Sequence, residues 1–269
     1  MTISPFVALP KSDGDPSDQR PPVVVVLHER YGMVQHTRDM ASRLAGYGFA
    51  VVAPDLFADE ETAMTPPPVD TTPAESGGVR RRVRISDSHA NQSIREAIEL
   101  LADQVPVDTE RIAVVGVCRT GRYALSYAAN AALACSVALY GAAQPRDWEV
   151  TGDQPEGLEG LIAASKTPFL GLYGELDHLI SRDDVLRLRA GMERHSRSYL
   201  IHHVAGAPHG WLNDTMPGRY RPDAAEFAWS IIVRFLRKHF DHPSPERTTW
   251  EYHADIGIDY DFASNVRLE

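Results

Sequence analysis

Residues Gly116-Val117-Cys118-Arg119-Thr120-Gly121 follow the apolar run 112–115 directly and lead into a helix-like segment, 123–130. This order leaves the chain few options: a buried strand ends in a sharp turn, and the turn opens a helix. A glycine-flanked turn of the form G-x-Nuc-x-G in that setting lifts its central side chain above the C-terminal edge of a parallel sheet. The first N–H groups of the helix aim at the same spot, which favours a thiolate or a developing oxyanion there. Cys118 is therefore predicted to be a catalytic thiol.

The rest of the chain repeats the alternation of strand and helix that marks a parallel sheet flanked by helices. Apolar runs at 23–27, 49–53, 112–115, 137–140, 169–173 and 199–204 read as strands, with a further edge strand at 5–9. Helical spacing links Ile94, Ala97, Ile98 and Leu101, and again Ala224, Phe227, Ala228, Ile231 and Phe235. Ser181 followed by Asp184 resembles a capping box ahead of a helix over 185–194. The expected architecture is α/β in three layers, a mostly parallel twisted sheet with helices on both faces, forming one domain over 1–242. Two segments break the pattern. Residues 59–78, rich in Pro, Thr and acids, read as an irregular excursion, either a lid or disordered. Residues 243–269 read as a C-terminal tail whose Trp250, Tyr252, Tyr260 and Phe262 suggest docking. The tail's own domain, a second copy in a homodimer and the pocket rim all remain open as its target.

Charge and cysteine content exclude several function classes. A net charge of −10 disfavours nucleic acid and anionic membrane surfaces as partners. The one dense basic run, Arg80-Arg81-Arg82 with Arg84, reads as a solvated loop. Two cysteines, Cys118 and Cys135, make neither a disulfide framework nor a zinc spacing. Cys135 sits in an apolar strand and reads as an inert core residue. His178, His202, His203 and His253 show no metal-ligand spacing, so no metal is expected. With no apolar leader at the N-terminus and no run of membrane-spanning length, a cytoplasmic protein is expected.

A cysteine nucleophile needs a base within hydrogen-bond reach and a third group that orients the base. In α/β hydrolases these come in the order nucleophile, acid, histidine, each after a strand. Gly174-Glu175-Leu176-Asp177 closes the run 169–173 and puts Asp177 in the acid position, while Pro208-His209-Gly210 follows the run 199–204 and supplies His209. Each signal alone is weak; three in the required order after three strand ends are strong. Glu29, after a strand of four consecutive valines, cannot enter the core unpaired without a large cost. It reaches either solvent or the site edge near Cys118. The loop after that strand is also where this fold places its second oxyanion donor, which points to the backbone N–H groups of Arg30 and Arg119. Tyr31, Tyr140, Trp211 and Thr120 are candidates for the pocket wall, and the aromatic ones suggest an apolar or aromatic substrate.

Taken together, His28-Glu29-Arg30-Tyr31-Gly32, Ala53-Pro54-Asp55-Leu56-Phe57, the turn around Cys118, Leu139-Tyr140-Gly141, Gly174-Glu175-Leu176-Asp177 and Pro208-His209-Gly210-Trp211 resemble the dienelactone hydrolase family over about 5–240. The resemblance implies an α/β-hydrolase fold, a Cys118, Asp177 and His209 triad with accessory Glu29, and no cofactor. It also implies a cysteine that rests largely as a thiol, with the glutamate helping to draw off its proton when substrate binds. An ester or lactone would be cleaved through an acyl-cysteine. Two positions depart from the family pattern. Thr120 stands where the turn has a glycine, which implies a less cramped turn or a hydroxyl near the pocket. Asn213 stands where the type enzyme carries an arginine that holds the substrate carboxylate, so Arg219 or one of Arg80 to Arg84 would have to substitute. The leading expectation is a thiol-dependent ester or lactone hydrolase of a small molecule. A cyclase, isomerase or lyase on the same site is the second reading, and a redox-sensing thiol or binding module the third.

Overall fold

The computed structural model describes residues 5–11, 20–58, 85–242 and 247–268. The predicted excursion 59–78 and Arg80 to Arg84 lie outside the described residues. Eight described strands form one sheet: β1 (Phe6–Ala8), β2 (Pro22–Leu27), β3 (Ala50–Ala53), β4 (Asp108–Val117), β5 (Cys135–Leu139), β6 (Phe169–Leu176), β7 (Tyr199–Pro208) and β8 (Trp250–Ala254). Their order across the sheet is β1-β3-β2-β4-β5-β6-β7-β8. Every neighbouring pair is parallel except β1 with β3.

The continuous apolar runs follow from burial on both faces, as in any sheet covered twice. Within β2, Val24 and Val26 pack with α1 (Gln35–Gly46) and α6 (Pro222–Asp241) on one face. Val23, Val25 and Leu27 pack on the other face with α2 (Asp87–Gln104) and α3 (Gly121–Asn130). Further along that second face lie α4 (Leu158–Ala164) and α5 (Arg182–Arg194). The start of α5 is fixed as the sequence suggested: the Asp184 N–H donates to Ser181 Oγ at 3.1 Å, and the Ser181 N–H donates to Asp184 Oδ2 at 2.8 Å. The loops that follow β2, β4, β6 and β7 emerge at the same C-terminal sheet edge, where Glu29, Cys118, Asp177 and His209 lie.

The tail does not stand apart from the domain. After α6 the chain returns to add β8 beside β7, with Tyr199 opposite Trp250 and His203 opposite Ala254. Strands β4 and β7 are also longer than their apolar runs: in β4, Asp108 pairs with Pro22 and the register then shifts before Ile112 meets Val23, and in β7 Pro208 pairs with Leu176.

His202 and His203 face opposite layers, as two successive strand residues must. His202 meets Phe227 of α6 and stacks on His253 of β8, whereas His203 packs near Tyr173. His203 is 1% exposed, and burial lowers its pKa to about 4. The folded protein therefore holds it neutral, while the unfolded chain takes up a proton near pH 6.5. Its contribution is neutral above that pH, and stability is lost as pH falls from about 6.5 to about 4, by up to about 3 kcal/mol. Asp147, raised to about 6 by burial, acts in the opposite sense over a similar range. The His203 effect is thus read from a difference: His203→Phe should lose less stability than wild type between pH 7 and pH 4 in urea titrations. Parallel curves for the two proteins would show that His203 is not the group responsible.

Candidate active site

Cys118 sits at the junction of β4 and α3 with a positive φ of 56°, the strained conformation a sharp strand-to-helix turn imposes. The turn is cramped. A Cβ on Gly116 would lie 2.7 Å from the Gly121 Cα, closer than a side chain tolerates, so this position needs glycine, and a Cβ on Gly121 would press on the Gly141 backbone at 3.0 Å. Thr120 is compatible with this crowding because the left-handed backbone falls on Cys118, while Thr120 itself has φ −82°. The expected looser turn and pocket-facing hydroxyl are therefore corrected. Thr120 is 1% exposed, its Oγ1 accepts the Val117 N–H at 2.9 Å, and Leu27 O and Val117 O lie 3.1 and 3.0 Å from it as acceptors. The hydroxyl ties the turn to the end of β2, one residue before His28. Thr120→Val keeps the shape but strands the buried Val117 N–H. It should cost about 1–3 kcal/mol in urea unfolding, and an unchanged midpoint would show the hydroxyl to be dispensable.

The structure brings Cys118, His209 and Asp177 into one line. His209 Nε2 lies 3.0 Å from Cys118 Sγ, and its Nδ1 lies 2.8 Å from Asp177 Oδ2. Asp177 is fully buried, and its other oxygen, Oδ1, accepts the N–H groups of Leu179 and Ile180 at 2.8 and 3.1 Å. Those bonds fix the carboxylate, and the carboxylate fixes the imidazole. Burial works against protonation of His209, but the charges and hydrogen bonds of Cys118 and Asp177 outweigh it and hold its pKa well above the ordinary value. A thiol beside such a base can pass its proton across one hydrogen bond. Cys135 differs in every respect, being wholly buried in β5 with its thiol pKa pushed up by burial.

Glu29 turns inward at the site edge and is 5% exposed. Its Oε2 accepts the side-chain amide of Asn213 at 3.0 Å. His28 holds the loop beneath it. His28 Nδ1 lies 2.7 Å from Glu29 O and Nε2 accepts the Leu56 N–H at 3.0 Å, which one neutral tautomer with the proton on Nδ1 satisfies. The Gly32 N–H donates to Glu29 O at 3.1 Å, so residues 29–32 close a turn around Arg30 and Tyr31. Arg30 is exposed, and its guanidinium donates to the Tyr31 hydroxyl at 2.8 Å.

Tyr140 and Trp211 are both fully buried. Tyr140 meets the edge of His209 at 5.2 Å and of Trp211 at 5.0 Å, so Tyr140 backs the imidazole while Trp211 packs behind Tyr140. Burial, then the charges of Glu29 and Cys118, push the Tyr140 hydroxyl well above its usual pKa, which keeps it neutral beside both groups. His178 meets the His209 ring edge-on at 5.7 Å, and burial followed by the His209 charge lowers its pKa. Arg219, 5% exposed, has its side chain beside Gly210. His28, Asn213 and His178 were not singled out from the sequence as parts of the site. Asn213, four positions past His209, carried a positional signal, but it was read only as a missing arginine. Among the described residues, no group of three or more His, Cys, Asp or Glu side chains could hold a metal ion. No described helix is long and apolar enough to cross a membrane.

The chain has matches among known sequences. The sequence model of the dienelactone hydrolase family covers residues 9–240. The chain belongs to the dienelactone hydrolase family. Membership makes it a hydrolase of the ester and lactone class. Among relatives, the protein named "Putative carboxymethylenebutenolidase" of Escherichia coli O157:H7 is 28% identical over 83% of this chain and 79% of its own length. A Bradyrhizobium protein named "Probable 2-oxo-3-(5-oxofuran-2-ylidene)propanoate lactonase" is 26% identical over 82% of this chain and 85% of its own. The crystal structure of a "Putative Dienelactone Hydrolase" from Klebsiella pneumoniae subsp. pneumoniae MGH 78578 has a TM-score of 0.70 at 22% identity. It covers 88% of this chain and 100% of that one, and the likeness shows a shared fold. Residues beyond 240, including β8, lie outside the family match.

Proposed function

We propose that this dienelactone hydrolase family member cleaves an ester or lactone of a small organic molecule through an acyl-cysteine on Cys118. The observation that carries the proposal is the continuous line from Cys118 Sγ through His209 to Asp177 at 3.0 and 2.8 Å. His209 Nε2 takes the thiol proton as Sγ attacks the carbonyl carbon, and the carbonyl π electrons move onto oxygen. The backbone N–H groups of Arg30 and Arg119 receive that oxyanion; each such donor contributes about 3 kcal/mol in the transition state. Collapse expels the alkoxide or enolate, which takes the proton back from His209, and a thioester remains. Water then gives a proton to His209 and attacks the thioester, releasing the acid and restoring Cys118. With a lactone, acid and alcohol end on one molecule.

Glu29 takes the accessory role at the edge of the thiol site, where its carboxylate accepts the Asn213 amide. Tyr31, which is partly exposed, contributes aromatic surface for the substrate, whereas the fully buried Tyr140 and Trp211 stand behind the imidazole and do not line the pocket. The butenolidase and lactonase names of the relatives favour a lactone over an open-chain ester. Free Cys118 and Cys135 suit a reducing, cytoplasmic compartment. Turnover of p-nitrophenyl acetate and of a panel of small lactones tests the reading. Hydrolysis of at least one is expected, and a folded protein inert toward all of them would overturn it.

A further inference from the structure

The segment after β8 crosses back over the acid end of the site. Asn265 Nδ2 donates to the backbone carbonyls of Glu175 and Asp177, at 3.0 and 3.1 Å. The Glu175 carboxylate joins the same place from the other side: Oε1 accepts the Gly257 N–H at 2.6 Å and Oε2 accepts the Gly206 N–H at 2.8 Å. Gly206 lies three residues before His209, so one carboxylate bridges the strand that carries the base and the segment that covers the acid. The Tyr260 hydroxyl accepts the Arg182 N–H at 3.1 Å, where α5 begins, and Arg219 Nε donates to Leu268 O. Each contact lands within a few residues of Asp177 or His209, or on Arg219 beside Gly210. Polar contacts of this kind hold the segment more than apolar burial does, since Ile258 and Val266 remain exposed.

The geometry points to residues 255–268 as a strap that sets the acid of the triad, with Asn265 as its positioning residue. The mechanical reason is specific. The loop 177–180 holds Asp177 Oδ1 through its own N–H groups, so the carboxylate turns with the loop as one unit. Asn265 pins that unit at the two carbonyls flanking Leu176, a residue that is itself 40% exposed and gives the loop little apolar anchorage. Without the amide, the Leu176 end of the loop loses a hold on its two carbonyls, although Ile180 stays buried in the core at the other end, and a small shift there moves Asp177 Oδ2 relative to His209 Nδ1. A misplacement of about 1 Å of a catalytic group costs up to about 10²-fold in rate. The inference rests on the proposed role of Asp177 as the orienting acid and extends it beyond the part of the chain that the family match covers.

The test uses the full chain with Asn265→Ala, Asp177→Asn and the double variant, assayed on p-nitrophenyl acetate. Asn265→Ala should lower kcat by about 10- to 100-fold with KM nearly unchanged. It should also slow alkylation of Cys118 by iodoacetamide. Its cost should nearly vanish in the Asp177→Asn background, as for two residues acting through one group. The isosteric Asn265→Asp, which sets oxygens against both carbonyls, should be at least as slow and guards against a folding defect peculiar to alanine. Wild-type kcat in Asn265→Ala and Asn265→Asp beside a crippled Asp177→Asn would overturn the strap and leave the triad standing. An equal cost of Asn265→Ala with and without Asp177 would also overturn it, since the effect would not pass through the acid. A neutral Asp177→Asn would overturn both the strap and the assignment of Asp177.

Discussion

Cys118→Ala is expected to abolish ester turnover, with kcat lowered by roughly 10⁴-fold or more, the scale on which removal of a nucleophile acts. The substitution takes away one sulfur atom and leaves the backbone unchanged. The turn keeps its glycine packing and its Thr120 tie to β2, neither of which involves Sγ. Stability should therefore change little, by about 1 kcal/mol or less, the scale of a minor side-chain truncation. Cys135→Ala is the control, because the only other cysteine is wholly buried in β5 and far from water. It should lose some stability through a small cavity and keep its activity. Residual turnover above a tenth of wild type in Cys118→Ala would mean that another group attacks the carbonyl.

Asp177→Asn is expected to lower kcat by about 10⁴-fold while leaving the fold intact. The side-chain oxygen of asparagine can still accept the Leu179 and Ile180 N–H groups, as Oδ1 does now. Its amide then faces His209 Nδ1, which must accept rather than donate. The imidazole proton moves to Nε2, 3.0 Å from Cys118 Sγ, so the base presents a proton to the thiol it should deprotonate. Steady-state assays should show the loss in kcat more than in KM, accompanied by slower Cys118 alkylation. A variant within tenfold of wild type would assign the orienting role elsewhere.

Much of the architecture was legible because it follows from periodicity. Four consecutive valines in β2 can satisfy only a strand buried on both faces, and the glycine-flanked Cys118 can satisfy only a sharp strand-to-helix turn. The chemistry-bearing positions were legible because each follows a strand end and so arrives at the same sheet edge. What the sequence concealed depends on contacts between residues far apart in the chain. Asn213 and Glu29 are separated by 184 positions, and nothing local in either marks the amide as a donor to the carboxylate. The role of Thr120 is hidden for the same reason: it depends on a hydroxyl that reaches Leu27, 93 residues away, and not on the backbone freedom of the glycine it replaces. The tail showed that it would dock, through its aromatics, but not where. Its placement is set by parallel pairing with β7 and by one asparagine reaching two carbonyls.

The central claim is that the substrate carbonyl becomes attached to Cys118. Intact-protein and peptide mass spectrometry after rapid mixing with p-nitrophenyl acetate and acid quenching tests it most directly. The account predicts one acetyl group per chain, located on the peptide containing Cys118, absent in Cys118→Ala, and lost on standing as the thioester hydrolyses. Turnover with no adduct on Cys118 at any quench time, or an acetyl group on another residue that forms and decays at the turnover rate, would contradict it.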